Sequence, residues 1–127
     1  MASTLRKKYN TKRLATLKKR PKVGFLLTFE EYVSIVENAT VCDYTGVPFT
    51  ASGFDSKSIE RVDDTLPYQI DNCCVVTIRA NRIKDMLDKG TNGTIRLEDI
   101  EILEKIKHTL STKTREQLVA KYRLGCE

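Results

Sequence analysis

Three short stretches near the middle of the chain decide the fold that the sequence predicts. They read SIERVDD (58–64), YQIDN (68–72) and ANRIK (80–84). The first contains a strand candidate, Ser58–Val62, and a nearly continuous apolar run predicts a second, buried strand over Cys73–Ile78. A helix is predicted over 79–89, ending at Gly90, because glycine commonly terminates helices. The sequence therefore predicts two strands joined by a loop and followed directly by a helix.

These stretches, with two others, resemble the HNH endonucleases, in particular the branch found in phages and large viruses. Five blocks of the family pattern occur in the family's order: Leu27–Tyr32, Cys42–Gly46, Ser58–Asp63, Tyr68–Asn72 and Thr77–Lys84. The resemblance implies an α+β protein with a ββα-metal core, in which two strands and a helix hold one divalent ion against a scissile phosphate. It places this core at about 42–89 within an HNH-like domain over 23–127.

The resemblance also implies roles for five residues of the core. Glu60 stands where the family usually has a metal-binding Asp, and Asn81 stands where the second ligand lies. Asn72 matches an Asn that braces a loop, and Arg61 occupies the place where many members carry a His general base. Lys84 lies one turn beyond Asn81 on the same helix face and would hold phosphate. The expected catalytic positions are thus Glu60, Arg61, Asn72 and Asn81, with Mg²⁺ or Mn²⁺ held by Glu60 and Asn81.

Two departures from the family pattern bear on activity. A guanidinium stays protonated at working pH, so Arg61 cannot act as a base. Glu60 is one methylene longer than Asp, and a misplacement of about 1 Å can lower a rate by about 10²-fold. An Asp-Arg pair is common in the phage branch, so Arg61 alone does not establish inactivity. His108, the only histidine, falls in a later helix and is interpreted as a surface residue.

No structural zinc is expected, although the family often contains one. The four cysteine positions of the family's zinc site fall at Cys42, Thr45, Thr77 and Ala80. Only the first of these is a cysteine, so a tetrahedral thiolate site cannot be assembled there. Apolar packing is expected to replace the contribution of the metal. The residues expected to supply it are Tyr44, Phe49, Val76 and Ile78.

Positive charge is concentrated at the N-terminus. Residues 1–22 contain nine Lys or Arg and no acid, whereas residues 23–127 contain 13 basic and 17 acidic residues, a net charge of −4. The nine are Arg6, Lys7, Lys8, Lys12, Arg13, Lys18, Lys19, Arg20 and Lys22. We predict a flexible arm over 1–22 that binds DNA or RNA phosphates together with Arg82 and Lys84. The alternatives are a solvated arm that aids solubility, or a short helix that forms on a polyanion or partner protein.

Composition limits the class of protein. With 127 residues, 40% of them hydrophobic, the chain can form one domain with a core that needs no disulfides. No apolar run is long enough to span a membrane and no signal peptide is recognised, so a cytoplasmic protein is expected, in the host cytoplasm if a phage encodes it. The cysteines, Cys42, Cys73, Cys74 and Cys126, follow no paired spacing and are interpreted as buried, reduced thiols.

Further helices are predicted on both sides of the core. Thr28 and Glu31 form a capping box that begins a helix reaching about Asn38. Apolar residues spaced from Leu97 to Leu110 predict an amphipathic helix, and a final helix follows, so that two helices occupy about 96–123.

Three functions remain open at this point. We favour a nucleic-acid-binding protein derived from a phage-type endonuclease, with weakened or lost cleavage, because the base, Asp ligand and zinc positions are altered together. The first alternative is an active Mg²⁺- or Mn²⁺-dependent endonuclease that nicks or cleaves DNA. The second is a phage interaction protein that acts on a host machine, which exposed apolar residues on the last two helices would favour.

Overall fold

The computed structural model describes residues 2–89 and 96–125. In this part of the chain five helices accompany one two-stranded sheet. The elements are α1 (Ala2–Lys19), α2 (Phe29–Asn38), β1 (Lys57–Arg61), β2 (Cys73–Thr77), α3 (Ile78–Lys89), α4 (Leu97–Thr112) and α5 (Arg115–Gly125). This arrangement confirms the α+β class. The predicted helix stop at Gly90 and the cysteine at 126 lie outside the described residues. Within the described ranges, none of the helices has the length and apolarity needed to cross a bilayer.

The sheet is an antiparallel hairpin in which β1 and β2 pair along their full length. All five side chains of β2 are buried, in keeping with its apolar sequence, CCVVT. In β1, Ile59 and Arg61 are buried, while Glu60 between them is partly exposed and stands opposite Cys74 in the register. The predicted order of two strands and a helix is observed, with each boundary within one residue of its predicted position.

Helix α3 begins at the residue after β2 ends. The Thr77 hydroxyl accepts a hydrogen bond from the Ala80 N–H at 3.0 Å, which satisfies an amide of the first helical turn. The Thr77 N–H donates to the Cys42 sulfur at 3.4 Å. Cys42 itself begins a tight turn, closed by a 2.8 Å hydrogen bond from the Gly46 N–H to its carbonyl, in which Gly46 has a φ of 77°. Cys42, Thr77 and Ala80, three of the four positions to which the sequence resemblance assigns zinc ligands, therefore meet and are joined by hydrogen bonds.

Apolar packing around this junction is only partly as expected. Tyr44 and Val76 are buried, and Phe49 packs against the core. Ile78 is 42% exposed, so its expected place in the core is wrong. As the first residue of α3, it lies on the outer side of the helix. Cys42, Cys73 and Cys74 are buried free thiols, as predicted, and burial raises the pKa of the Cys73 thiol to about 12.

Two buried carboxylates attach the C-terminal helices to this core. Asp99 of α4 pairs with Arg82 at 3.0 Å and with Arg79 at 3.5 Å, both on α3. Asp43 accepts a hydrogen bond from the Val75 N–H at 2.9 Å, and its carboxylate also bonds the side chains of Lys121 and Tyr122 on α5. A buried charge is tolerated when it is paired and hydrogen-bonded, so these carboxylates fix α4 and α5 in place.

The basic N-terminal segment is an ordered helix, and the prediction of a flexible arm over 1–22 is wrong for α1. Its Tyr9 is buried, and the Tyr9 hydroxyl donates to the Leu27 carbonyl at 2.6 Å. The Tyr9 ring meets those of Phe25, Phe29 and Tyr32 edge to face, with centroids 5.5 to 5.6 Å apart. Such aromatic contacts stabilise a core beyond the area they bury. The helix is therefore anchored through one face and presents its cations on the others.

Candidate phosphate and metal site

A cavity of about 330 Å³ lies between the C-terminal half of α1 and the β1–α3 side of the core. Three of the residues assigned to the site by the sequence, Glu60, Arg61 and Asn81, line this cavity. Other charged side chains complete its wall: Lys12, Lys19, Arg20, Asp64, Asp85 and Asp88. Cations from α1 and the residue after it, together with acids from α3 and the β1–β2 loop, thus line one partly open cavity, which we call the Glu60 cavity.

Glu60 has an unusual environment for a carboxylate. Burial raises the pKa of the Glu60 carboxyl to about 7, with Lys84 acting against this rise and Asp88 adding to it. One carboxyl oxygen accepts a 3.0 Å hydrogen bond from the Arg61 backbone N–H. The group therefore changes its protonation state near neutral pH, where an ordinary glutamate is already ionised.

This shift has a consequence for stability. Because the folded protein binds the Glu60 proton more tightly than the unfolded chain, stability falls as pH rises from about 4.5 to about 7 and is constant above. We expect the unfolding free energy of the wild type, relative to that of Glu60→Gln, to fall by at most about 3 kcal/mol across this window. Denaturant titrations with chelator present measure it. Glu37→Gln, at an exposed position, is the control, and equal pH profiles for wild type and Glu60→Gln would contradict the expectation.

Asn81 and the acids that follow it share one face of α3. The Asn81 amide nitrogen donates to the Ser58 hydroxyl at 2.8 Å, which leaves the amide oxygen as the atom free to bind a cation. Asp85 and Asp88 lie four and seven positions further along, a spacing that puts them on the same helix face. Sequence reasoning missed both, although helical spacing from Asn81 could have found them. Lys84, also on this face, is buried and forms an ion pair with Asp88.

Arg61 is held in place by the loop that follows it. One guanidinium nitrogen donates to the carbonyls of Asp64 at 2.7 Å and Leu66 at 3.0 Å. The guanidinium also lies over the ring of Tyr68, 5.3 Å from its centroid. Arg61 is buried, and these two bonds use one nitrogen of its guanidinium. It therefore supplies fixed positive charge to the cavity wall and cannot remove a proton.

Asn72 is completely buried and is not part of the cavity lining. Its amide nitrogen donates to the carbonyls of Asp63 and Pro67, both at 3.0 Å, and its amide oxygen accepts from the Asp63 N–H at 2.9 Å. These bonds close the loop between β1 and β2. Asn72 is thus a positioning residue, which agrees with the bracing role that the family resemblance implies, and it does not reach the cavity.

The other cations predicted to bind nucleic acid fall into separate groups. Lys12, Lys19 and Arg20 line the Glu60 cavity, with the Lys12 ammonium 5.0 Å from the Tyr68 ring centroid. Arg6 stacks on the Phe29 ring at 4.2 Å. The remaining cations of the segment are exposed: Lys7, Lys8, Arg13, Lys18 and Lys22. Arg82 pairs with Asp99 and lies outside the cavity lining.

His108 is exposed on α4 and lines a different hollow, as its interpretation as a surface residue requires. Among residues 2–89 and 96–125, no three His, Cys, Asp or Glu side chains are grouped as a metal-binding cluster. The functional interpretation of the Glu60 cavity rests on its own geometry and on the sequence motifs: no family model, curated protein or solved structure matches this chain.

Proposed function

We propose that the protein binds nucleic acid as a derivative of a phage-type HNH endonuclease, with cleavage weakened or lost. One observation carries this proposal: Glu60 and Asn81 line the same cavity as Lys12 and Lys19 of α1 and Arg20, which follows it. A phosphodiester requires positive charge, and a divalent cation requires oxygen donors. Residues of both kinds line the same cavity of about 330 Å³, which supports the proposal.

The residues of the cavity fit an open Mg²⁺ or Mn²⁺ site. Mg²⁺ keeps several waters and is usually bound by one or two carboxylates together with substrate phosphate. The Glu60 carboxylate and the Asn81 amide oxygen would hold the ion, and Asp85 and Asp88 add negative charge to the same wall. When bound, such an ion polarises a phosphoryl oxygen and lowers the pKa of water. The chain's own part is to position phosphate between Arg61 and the cations of α1.

The junction around Cys42 supports the proposed descent. In the family the zinc joins a turn to the start of the site helix. Here hydrogen bonds from Thr77 to Cys42 and from Ala80 to Thr77 join the same two places. The altered cysteine positions suggest that hydrogen bonds and apolar packing have replaced a metal bridge.

The arginine at the position of the family's general base supports weakened cleavage. Arg61 donates to two backbone carbonyls and stacks on Tyr68, so it acts as a brace. Restoring the family's histidine with Arg61→His would remove this brace from a buried site. Glu60→Asp is the cleaner test, since it restores the usual metal ligand and leaves Arg61 in place. A gain in plasmid nicking by Glu60→Asp under Mn²⁺ would support descent from an active nuclease.

Each alternative function has one observation in its favour. The Glu60 pKa of about 7 suits proton transfer near neutral pH and favours an active endonuclease, whose rate would rise with pH as Glu60 ionises. Exposure of Leu97 (89%) and Ile100 (45%) on α4 favours an interaction protein.

Binding is the decisive measurement for the proposal. The variant Lys12→Gln/Arg20→Gln removes two cavity cations, and we expect its affinity for polynucleotide to fall on the order of tenfold or more, because hydrogen bonds to charged groups are the stronger ones. The control Lys105→Gln/Lys107→Gln makes the same charge change on α4. Supercoiled plasmid incubated with Mg²⁺ or Mn²⁺ reports binding by gel shift and cleavage by nicking. Absence of binding by the wild type to plasmid and to single-stranded DNA and RNA alike would contradict the proposal.

A further inference from the structure

A second hollow lies next to the Glu60 cavity along the same side of α1. It has a volume of about 530 Å³ and is bounded by α1, by Tyr32 and by Lys57–Ile59 of β1. Lys12 and Ala15 line both hollows, so the two are adjacent. Together they form a groove between α1 and β1, which we call the α1–β1 groove. Its cations are Lys7, Lys8, Lys12, Lys19, Arg20, Lys57 and Arg61.

The groove has a direction. Lys8 shares the outer hollow with Lys57–Ile59, whereas Lys19 shares the inner cavity with Glu60. Helix α1 therefore runs in the same direction as β1, and the groove leads to the candidate site. A helix rises about 1.5 Å per residue, so the cations from Lys7 to Lys19 extend over about 18 Å of α1.

Charge changes along this path. The described lining of the outer hollow contains four lysines and no acid. Acidic side chains appear only at the inner end, where Glu60, Asp64, Asp85 and Asp88 line the cavity. A polyanion is attracted along the outer part, and one of its phosphates then reaches the place suited to a divalent ion. A nucleic-acid strand that enters the Glu60 cavity from the outer hollow would meet the charges in this order.

The form of the groove restricts the ligand. Its hollows have volumes typical of small-ligand sites, and they lie between neighbouring elements of one fold. A DNA duplex is much broader, since its major groove alone admits a whole α-helix. Hollows of this size suit an extended single strand better than a duplex. Given the nucleic-acid binding proposed above, on which this inference rests, we propose that the ligand is single-stranded DNA or RNA. The strand is held between α1 and β1, with its backbone directed into the Glu60 cavity.

Fluorescence anisotropy tests this with short labelled strands of DNA and of RNA and with the matching DNA duplex. The groove variant is Lys8→Glu/Lys19→Glu and the matched control is Arg13→Glu/Lys18→Glu. All four side chains are exposed on α1, the charge change is equal, and each pair has one member in the last helical turn. Because Arg13 and Lys18 are absent from the groove lining, the two variants separate groove contacts from general charge.

We expect the single strands to bind at least about tenfold more tightly than the duplex. The groove variant should lower the slope of log K against log salt by about 1.4 for single strands, about 0.7 for each lost contact, and the control should lower it little. Equal affinity for duplex and single strand, or equal losses in both variants, would overturn the groove while leaving nucleic-acid binding intact. Failure of every polynucleotide to bind would overturn the proposed function and this inference together.

Discussion

Replacing Tyr9 with alanine is expected to lower the unfolding free energy by about 3–5 kcal/mol, the range found for removal of a buried aromatic side chain. Tyr9 is the residue through which α1 enters the core, with edge-to-face contacts to three rings. Its loss also leaves the Leu27 carbonyl without the Tyr9 hydroxyl. We therefore expect α1 to detach more readily from the rest of the protein.

Denaturant unfolding measures the free energy, and limited proteolysis near residue 20 reports detachment of α1. The control is Tyr9→Phe, which keeps the ring contacts and removes one hydrogen bond, a loss of about 1 kcal/mol. If Tyr9→Ala unfolds like the wild type, the aromatic anchor is not what holds α1. For the same reason, deletion of residues 1–22 removes part of the core as well as nine cations, so charge variants on α1 are the sharper test of nucleic-acid binding.

Replacing Asn72 with aspartate is expected to lower the unfolding free energy by at least about 3 kcal/mol, because it puts an oxygen where the fold needs a donor. The Asn72 amide nitrogen donates to two carbonyls, and the side chain is fully buried. A carboxylate there meets carbonyl oxygens in a place that excludes water. The loop from Asp63 to Asn72, which also fixes Arg61, would lose its brace.

Thermal and denaturant unfolding of Asn72→Asp measure this effect. Asn38→Asp provides the control, since the Asn38 amide also donates to a carbonyl, that of Ser34 at 2.7 Å, but in an exposed position. We expect the control to change stability by less than about 1 kcal/mol. A small effect of Asn72→Asp would show that the loop closes without these hydrogen bonds.

The sequence predicted the central elements well because their signals are local. The buried run of β2, the capping box of α2 and the helical spacing of α3 each depend on residues close together in the chain. The prediction of a flexible arm was wrong because the ordering of α1 depends on Tyr9 meeting residues 25–32, a contact between distant parts of the chain. Nine cations and no acid predicted a solvated segment. The burial of Tyr9 instead anchors that segment as a helix on the core.

The candidate site was predicted only in part, for a similar reason. Motif positions brought Glu60, Arg61 and Asn81 into one expected site, and all three line one cavity. Lys12 and Lys19 of α1, and Arg20 after it, also line this cavity. Their place could not be assigned from sequence, since it depends on how α1 docks. Burial sets the pKa of Glu60, and the identity of the residue alone does not reveal burial.

The direct passage from β2 into α3 limits how this protein can change over evolutionary time. Each residue turns an α-helix by about 100°, so one residue inserted between Thr77 and Asn81 would rotate Asn81, Asp85 and Asp88 together away from Glu60. Such a change of phase could not be corrected by any single substitution. The exposed segment 51–54, by contrast, can lengthen or shorten without altering that phase. Variation in length among descendants of this chain should therefore collect in that segment, while the spacing from Thr77 to Asp88 stays constant.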